Sequence, residues 1–249
     1  MPDYKSIAQG LAGTLAACML WTDAQAAPTT IPIGLNPGDT YRLAFVSSTT
    51  RDATSPDIAD YNAFVSAAAN ASPALAALGA SWTAIASTSA VDARDNTNTN
   101  FLSDAGVAIY LTDGLTKVAE DNADLWDGSV LSGLAITELG TSLSTFVWTG
   151  TGGDGNSSGP FYLGTTNSPR FGLSSATDIQ WIAPIGATLP NQERSLYGIS
   201  SLLTVPLQIP APPVLLLFLL GLSFLAKVRC HLRNQSTRPP PLPFRTIPH

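Results

Sequence analysis

An alternation of apolar and polar positions marks the start of the central part of the chain. Tyr41, Leu43 and Phe45 are apolar, and the residues between them are mostly polar or small. A period of two is typical of a β-strand, because successive side chains point to opposite faces. We therefore predict a strand at residues 40–48, near the beginning of a folded domain.

A helical period replaces this alternation after Ser55-Pro56. Serine is a common helix cap and proline fits the first helical position, so we predict a helix that begins here. Its apolar residues recur at intervals of three and four, which places them on one buried face: Ile58, Tyr61, Phe64, Val65 and Ala68.

A second, shorter helix is predicted where Ser72-Pro73 repeats the same opening. Leu75 and Leu78 are its candidate buried residues. Gly79 is a plausible end, because glycine readily adopts the backbone conformation that terminates helices.

Short apolar runs separated by polar turns follow from residue 82 onward. Asp113-Gly114 predicts a turn, and residues 150–159, which contain only Gly, Thr, Asp, Asn and Ser, predict an exposed, mobile loop. Helices first and strands later indicate an α+β domain. The predicted strands lie at residues 82–85, 107–111 and 146–148, with a closing strand at 196–205.

An apolar block near the C-terminus, residues 209–226, has prolines at its start and cations directly after it. As a helix it would be about 27 Å long, just enough for a bilayer core of about 30 Å. Lys227 and Arg229 indicate that the tail stays in the cytoplasm and that the preceding residues are outside.

The N-terminus has the pattern of an export signal. Lys5 precedes an apolar run, and Ala24-Gln-Ala26 is a small-x-small cleavage site. We predict a signal peptide of residues 1–26 and a mature chain that begins at Ala27. The alternative is a lipoprotein signal, in which Cys18 becomes the lipidated first residue.

Between these two signals, residues 27–205 are enough for one domain with a sizeable core. They contain sixteen acidic and six basic side chains, for a net charge of −10. Such a domain repels phosphate groups, so we expect no nucleic-acid partner. The chain after residue 205 divides into a sorting segment at residues 206–229 and a basic, proline-rich tail at residues 230–249.

Cysteine and histidine are both missing from the predicted exported domain. The two cysteines are Cys18 and Cys230, and the two histidines are His231 and His249. The domain therefore has no disulfide, and a Ser-His-Asp triad, a Cys-His pair and a histidine-ligated zinc site are excluded from it.

The densest group of carboxylates surrounds Trp126. Calcium prefers oxygen ligands, and we name Asp121, Asp124 and Asp127 as calcium candidates, although their spacing is not that of an EF-hand. The alternative is that these side chains cap and turn the chain around a buried Leu125-Trp126. No other cofactor is expected.

Arg94 lies between two acidic residues in the segment Asp92-Ala-Arg94-Asp95. Two interpretations are open, a solvated turn and a structural ion pair. We expect Arg94 to pair with a carboxylate inside the fold.

Several motifs occur in the order found in bacterial C-type-lectin-like, or endostatin-like, modules, and the chain resembles that family over most of residues 40–205. The resemblance implies two N-terminal helices packed against an irregular, twisted antiparallel sheet. Gly198 stands where disulfide-bearing relatives have cysteine. The motifs are Trp82-Thr-Ala-Ile85, Val91-Asp-Ala-Arg-Asp95, Asn122-Ala-Asp-Leu-Trp-Asp-Gly-Ser129, Ile136-Thr-Glu138, Val147-Trp-Thr-Gly-Thr151, Asp154-Gly155 and Leu196-Tyr-Gly-Ile-Ser200.

The C-terminal block is similar to a PEP-CTERM sorting signal, which joins a proline motif, an apolar helix and a basic cluster. Pro210 and Pro212 stand for the proline motif, and Lys227 and Arg229 begin the basic cluster. The resemblance implies an exosortase-type processing enzyme as a partner and an inner-membrane anchor before processing. We predict cleavage within residues 206–212, and the alternative is a plain membrane anchor.

These observations favour an exported, non-enzymatic binding or structural protein of the bacterial cell envelope, surface or extracellular matrix. Its expected partners are the processing enzyme, the membrane, and an extracellular polysaccharide or another envelope protein. One alternative is a surface hydrolase that uses carboxylates, although the predicted exported domain has neither histidine nor cysteine. Another is a permanently anchored or lipidated protein of unknown role.

Overall fold

The computed structural model describes residues 28–183 and 188–207. None of the helices in these residues is long and apolar enough to cross a membrane. Several predictions lie outside the described residues: the signal peptide (1–26), the apolar block (209–226), the tail (230–249) and the sorting residues Pro210, Pro212, Lys227 and Arg229.

The described chain is an α+β domain, as predicted, with a curled eight-stranded sheet, one α-helix of four turns, three α-helices of a single turn and two short 3-10 helices, Gly159–Phe161 and Ile179–Trp181. The elements in chain order are β1 (Thr40–Val46), α1 (Ile58–Ala71), α2 (Pro73–Ala76), β2 (Trp82–Ala84), α3 (Ala93–Asn96), β3 (Ile109–Leu111), β4 (Lys117–Ala119), α4 (Asn122–Leu125), β5 (Phe146–Trp148), β6 (Phe171–Leu173), β7 (Ser195–Ser200) and β8 (Leu203–Thr204).

The sheet is mixed, so the prediction of an antiparallel sheet is wrong for two of its strand pairs. The strand order is β4-β3-β1-β7-β5-β6, with β2 also on β7 and β8 also on β1. Strand β1 is parallel to β3, and β5 is parallel to β7. Parallel neighbours need a long connection, and helices α1 and α2 lie in the connection between β1 and β3.

Alternate residues of β1 supply two separate cores. Tyr41, Leu43 and Phe45 pack in one core with the buried face of α1, whereas Ala44 and Val46 pack in the other. Both faces of the central strand are therefore covered. This double burial shows how a domain without disulfides removes enough apolar surface from water to stay folded.

The helices follow the predicted faces but not every predicted start. Helix α1 begins at Ile58, and its cap is Asp57, whose Oδ1 accepts a hydrogen bond from Ala59 N at 2.9 Å. The predicted start at Ser55 is wrong: Ser55 lies before the helix, where its hydroxyl accepts a hydrogen bond from Asp57 N at 3.2 Å and donates one to Asp60 Oδ2 at 2.6 Å. Tyr61, Val65 and Ala68 are buried, as predicted, whereas Ile58 and Phe64 are only half-buried. Helix α2 begins at Pro73, also as predicted.

The predicted closing strand is divided into β7 and β8, which both pair with β1. Gly198 in β7 lies directly opposite Phe45, and a Cβ atom at Gly198 would lie 2.6 Å from Phe45 Cζ. The phenyl ring therefore occupies the space that any side chain at this position needs. After β8, Val205 N donates to Asp39 O at 2.9 Å.

Candidate functional site

We call residues 120–127 the acidic motif. Its aspartates form hydrogen bonds with the backbone around α4. Asp121 caps this helix, and its Oδ1 accepts a hydrogen bond from Asp124 N at 2.9 Å. Asp124 Oδ2 in turn accepts one from Glu120 N at 2.7 Å. The exchange resembles a capping box, in which two side chains near a helix start satisfy backbone donors that the helix leaves free.

Asp127 closes the next turn. Its Oδ1 accepts hydrogen bonds from both the backbone N and the hydroxyl of Ser129, each at 2.8 Å. Among residues 28–183 and 188–207, no group of three or more His, Cys, Asp or Glu side chains is placed to hold a metal ion. The geometry of the three calcium candidates therefore favours the capping interpretation.

Trp126 is buried as predicted, with 3% of its surface exposed. Its Nε1 donates to the hydroxyl of Thr99 at 2.9 Å and to the carbonyl of Thr99 at 3.1 Å. Its ring lies 6.0 Å from that of Trp181, which is also fully buried and which sequence reasoning did not identify. Trp126 therefore connects the acidic motif to the core that contains Ala44 and Val46.

The glycine-rich loop packs against this indole. Gly155 is buried, and a Cβ atom there would lie 2.8 Å from Trp126 Cδ2 and 2.9 Å from Arg94 Cβ. Gly155 also has a φ of +78°, which favours glycine. The prediction of an exposed loop at residues 150–159 is therefore wrong for its buried residues. Gly155 has no side chain, so its backbone can approach the indole ring of Trp126.

Segment 92–99 contacts the same glycine-rich loop. Asp92 Oδ1 accepts a hydrogen bond from Ser157 N at 2.6 Å, and Arg94 N donates to Gly155 O at 3.2 Å. Segments 92–99, 122–129 and 150–159, which are far apart in sequence, thus meet around one tryptophan. We call these three segments the Trp126 junction.

The expected ion pair of Arg94 is not formed. The ion pairs of the described residues are Arg51–Asp52 at 4.0 Å and Lys117–Glu120 at 2.8 Å. Arg94 instead lies over the ring of Phe101 at 5.9 Å, and its buried Nε has no hydrogen-bond partner among the described residues. The prediction is wrong because both neighbouring aspartates bind elsewhere, Asp92 to Ser157 N and Asp95 to Asn100 Nδ2.

Glu138 is a buried carboxylate to which sequence reasoning gave no role. Only 2% of its surface is exposed. Its Oε2 accepts a hydrogen bond from Ser48 N at 2.9 Å, and its Oε1 accepts one from the Ser48 hydroxyl. In the sequence, Glu138 directly follows Ile136-Thr137 at the end of an apolar run. This position is the one sequence feature that could have predicted its burial.

The same use of carboxylates extends through the whole domain. Of its sixteen Asp and Glu side chains, twelve accept a hydrogen bond from a backbone N–H, which stabilises turns, caps and loop contacts. The twelve are Asp39, Asp52, Asp57, Asp92, Asp104, Asp113, Asp121, Asp124, Asp127, Glu138, Asp154 and Asp178.

No protein-family model matches the chain, and none of the curated proteins is significantly similar to it in sequence.

Proposed function

We propose that this chain is an exported, non-enzymatic binding or structural protein of the bacterial cell envelope or extracellular matrix. Its C-terminal block would act as an exosortase-type sorting signal that holds the chain in the inner membrane until it is processed.

The use of the carboxylates carries this proposal. A hydrolase with two catalytic carboxylates needs a pair of them that faces the substrate, where they exchange a proton with it or attack it. Here twelve of sixteen carboxylates bind backbone N–H groups. Most acidic residues that are candidate catalytic groups in the sequence thus stabilise loops and turns. This favours a binding or structural role.

We further propose that the domain has a C-type-lectin-like fold. Helices α1 and α2 lie between β1 and the other seven strands in the chain, and α1 packs against the sheet through Tyr61 and Val65. Strand β7, which contains the Leu196–Ser200 motif, lies in the centre of the sheet beside β1. The Trp126 junction would then be the region in which long loops are held together without a disulfide.

Cell fractionation of the native host tests the proposed role. We expect the protein in the envelope or matrix fraction, and we expect the purified protein to release no reducing sugar ends from matrix polysaccharide. A cytoplasmic location would contradict the proposed export. Turnover of the polysaccharide would contradict the non-enzymatic role and support a surface hydrolase.

A further inference from the structure

Two asparagines of the described domain belong to Asn-x-Ser triplets, the acceptor sequence for N-linked sugars in exported proteins. They are Asn70, in Asn70-Ala-Ser72, and Asn156, in Asn156-Ser-Ser158. Such triplets are common by chance, so the sequence motif alone does not distinguish them. The structure does, because it places the two triplets in different backbone conformations and at different depths.

The Asn70 triplet lies at the end of a helix. Asn70 is exposed in the last turn of α1, but on a helix the side chains of residues i and i+2 do not face each other. Ser72, which ends this helix, has only 1% of its surface exposed. A transferase has to contact the hydroxyl two residues after the acceptor asparagine, and here the fold buries it. Asn70 is therefore a poor acceptor in the folded domain.

The Asn156 triplet lies on a hairpin turn in the glycine-rich loop. Ser157 pairs with Thr151 in an antiparallel β-bridge. Beside this bridge, Gly152 N donates to Asn156 O at 2.8 Å. The backbone is thus extended around Ser157, and in extended backbone the side chains of residues two apart lie on the same face. The amide of Asn156 and the hydroxyl of Ser158 are therefore presented together.

Both groups of this triplet are accessible. Asn156 and Ser158 are partly exposed. Gly152, the backbone neighbour of Asn156 across the turn, has no side chain that could cover the amide. Asp92 Oδ1 holds the turn in place by accepting a hydrogen bond from Ser157 N at 2.6 Å. The fold therefore fixes the triplet at the surface in a conformation that a transferase can reach.

An exposed acidic side chain precedes Asn156 by two residues. The oligosaccharyltransferases of bacterial envelopes prefer an acidic residue at this position, where a cationic group of the enzyme can pair with it. Asp154 supplies it, and its carboxylate accepts hydrogen bonds from Asn156 N at 3.1 Å and from Asn156 Nδ2. At the other triplet the same position is Ala68, which is buried. The acid, the amide and the hydroxyl thus occur together at Asn156 and not at Asn70.

We propose that Asn156 is a site of N-linked glycosylation. Its Nδ2 forms a bond to C1 of the first sugar, and the bond from C1 to the oxygen of a polyprenyl diphosphate carrier breaks, with the electron pair leaving on the diphosphate. A base of the transferase takes the proton that Nδ2 loses. The donor is a lipid-linked oligosaccharide of the inner membrane. The modification rests on the proposed function, because export and retention in that membrane bring the domain to this donor.

Peptide mapping of the protein isolated from its native host tests the site. Trypsin separates the two triplets, because peptide 52–94 contains Asn70 and peptide 118–170 contains Asn156. By mass spectrometry we expect an attached oligosaccharide on peptide 118–170, located at Asn156 by fragmentation, and none on peptide 52–94.

Variants expressed in the same host test each part of the acceptor. Asn156→Gln and Ser158→Ala should lose the sugar, whereas Ser158→Thr keeps a hydroxyl and should retain it. Asp154→Ser should lose most of the modification and Asp154→Glu should retain it, since serine can still accept the hydrogen bond of the turn but has no charge. Asn70→Gln is the matched control and should be glycosylated as the wild type is. Thermal unfolding shows whether each variant is folded, and the map of the wild-type protein decides even where one is not.

The outcomes separate the site from the proposed function. An unmodified peptide 118–170 in a chain that has lost residues 1–26 would overturn the site and leave the proposed export intact. Sugar on peptide 118–170 of Asn156→Gln, or sugar at Asn70 instead, would also overturn the site. A cytoplasmic chain that keeps residues 1–26 and carries no sugar would contradict both the site and the proposed function.

Discussion

At the scale of single residues, aspartate shapes the loops of this domain. The carboxylates of Asp52, Asp113, Asp127, Asp154 and Asp178 each accept a hydrogen bond from the backbone N–H two residues further along. This Asx-turn stabilises a tight change of chain direction. The acidic composition of the domain therefore reflects its many turns.

Replacement of Trp126 tests the junction at this scale. The indole is 3% exposed and forms two hydrogen bonds with Thr99. Trp126→Ala should therefore lower the free energy of unfolding by about 3 to 5 kcal/mol. Leu131→Ala, at a position that is 52% exposed, should change it by less than about 0.5 kcal/mol. Chemical denaturation measures both, and an unchanged midpoint for Trp126→Ala would refute the role of the junction.

Gly198 gives a second test of packing. A methyl group there would meet the ring of Phe45, with 2.6 Å between Cβ and Cζ. Gly198→Ala should destabilise the domain by about 1 to 3 kcal/mol through overpacking. In a Phe45→Leu background the same substitution should cost less, because the ring is gone, and a double-mutant cycle measures this coupling. Additive effects of the two substitutions would contradict the contact.

Sequence reasoning worked for residues whose environment follows from their own chemistry. Large apolar rings are expected to be mostly buried, and Trp82, Trp126 and Trp148 are at most 3% exposed. Arg94 and Glu138 could not be assigned in this way. Their partners come from segments far away in sequence, and a single sequence does not say which segments meet.

At the scale of elements, most helices and strands of this domain are too short to be stable alone. Strand β2 is an example, because side chains rather than another strand hold its outer edge. Asn62 Oδ1 accepts a hydrogen bond from Ala84 N, and Asn96 Nδ2 donates to Ala84 O, each at 2.8 Å. The two amides also bind each other, so α1, α3 and β2 are joined at one point.

The cap of α1 provides a test at this scale. Asp57 accepts a hydrogen bond from Ala59 N, so Asp57→Ala should lower the free energy of unfolding by about 1 kcal/mol. Glu193→Ala removes the same charge from an exposed side chain that forms no ion pair among the described residues, and it should have little effect. A larger loss for Ser55→Ala than for Asp57→Ala in thermal unfolding would instead support the helix start predicted from the sequence.

Element positions were more predictable than their pairing. The strand Phe146–Trp148 lies where its apolar run predicts, and β1 lies within the predicted residues 40–48. The direction of β1 relative to β3 was not predictable, because it depends on how the long connection through α1 and α2 returns to the sheet. Strand patterns record which face is buried and contain no information about the neighbouring strand.

At the scale of the whole molecule, calcium separates the two interpretations of the acidic motif. Asp121, Asp124 and Asp127 each bind a backbone N–H, so we expect the melting temperature to be the same with added calcium and with a chelator. A metal ion that binds only the folded state would raise it. A rise that the chelator reverses and that Asp124→Asn removes would support the calcium site instead.

The domain ends next to the segment where cleavage is predicted. Val205 exchanges hydrogen bonds with Gly38 N and Asp39 O, and no described backbone hydrogen bond involves Pro206 or Leu207. A chain cut within residues 206–212 therefore keeps every backbone hydrogen bond of the described domain. Processing at this point is compatible with a stable product.

The intact mass of the protein isolated from its native host tests the central claim, export followed by sorting, most directly. The account predicts a chain that begins at Ala27 and ends within residues 206–212, without the cationic tail. A mature product that still contains residues 227–249 would contradict the sorting hypothesis and support a plain membrane anchor.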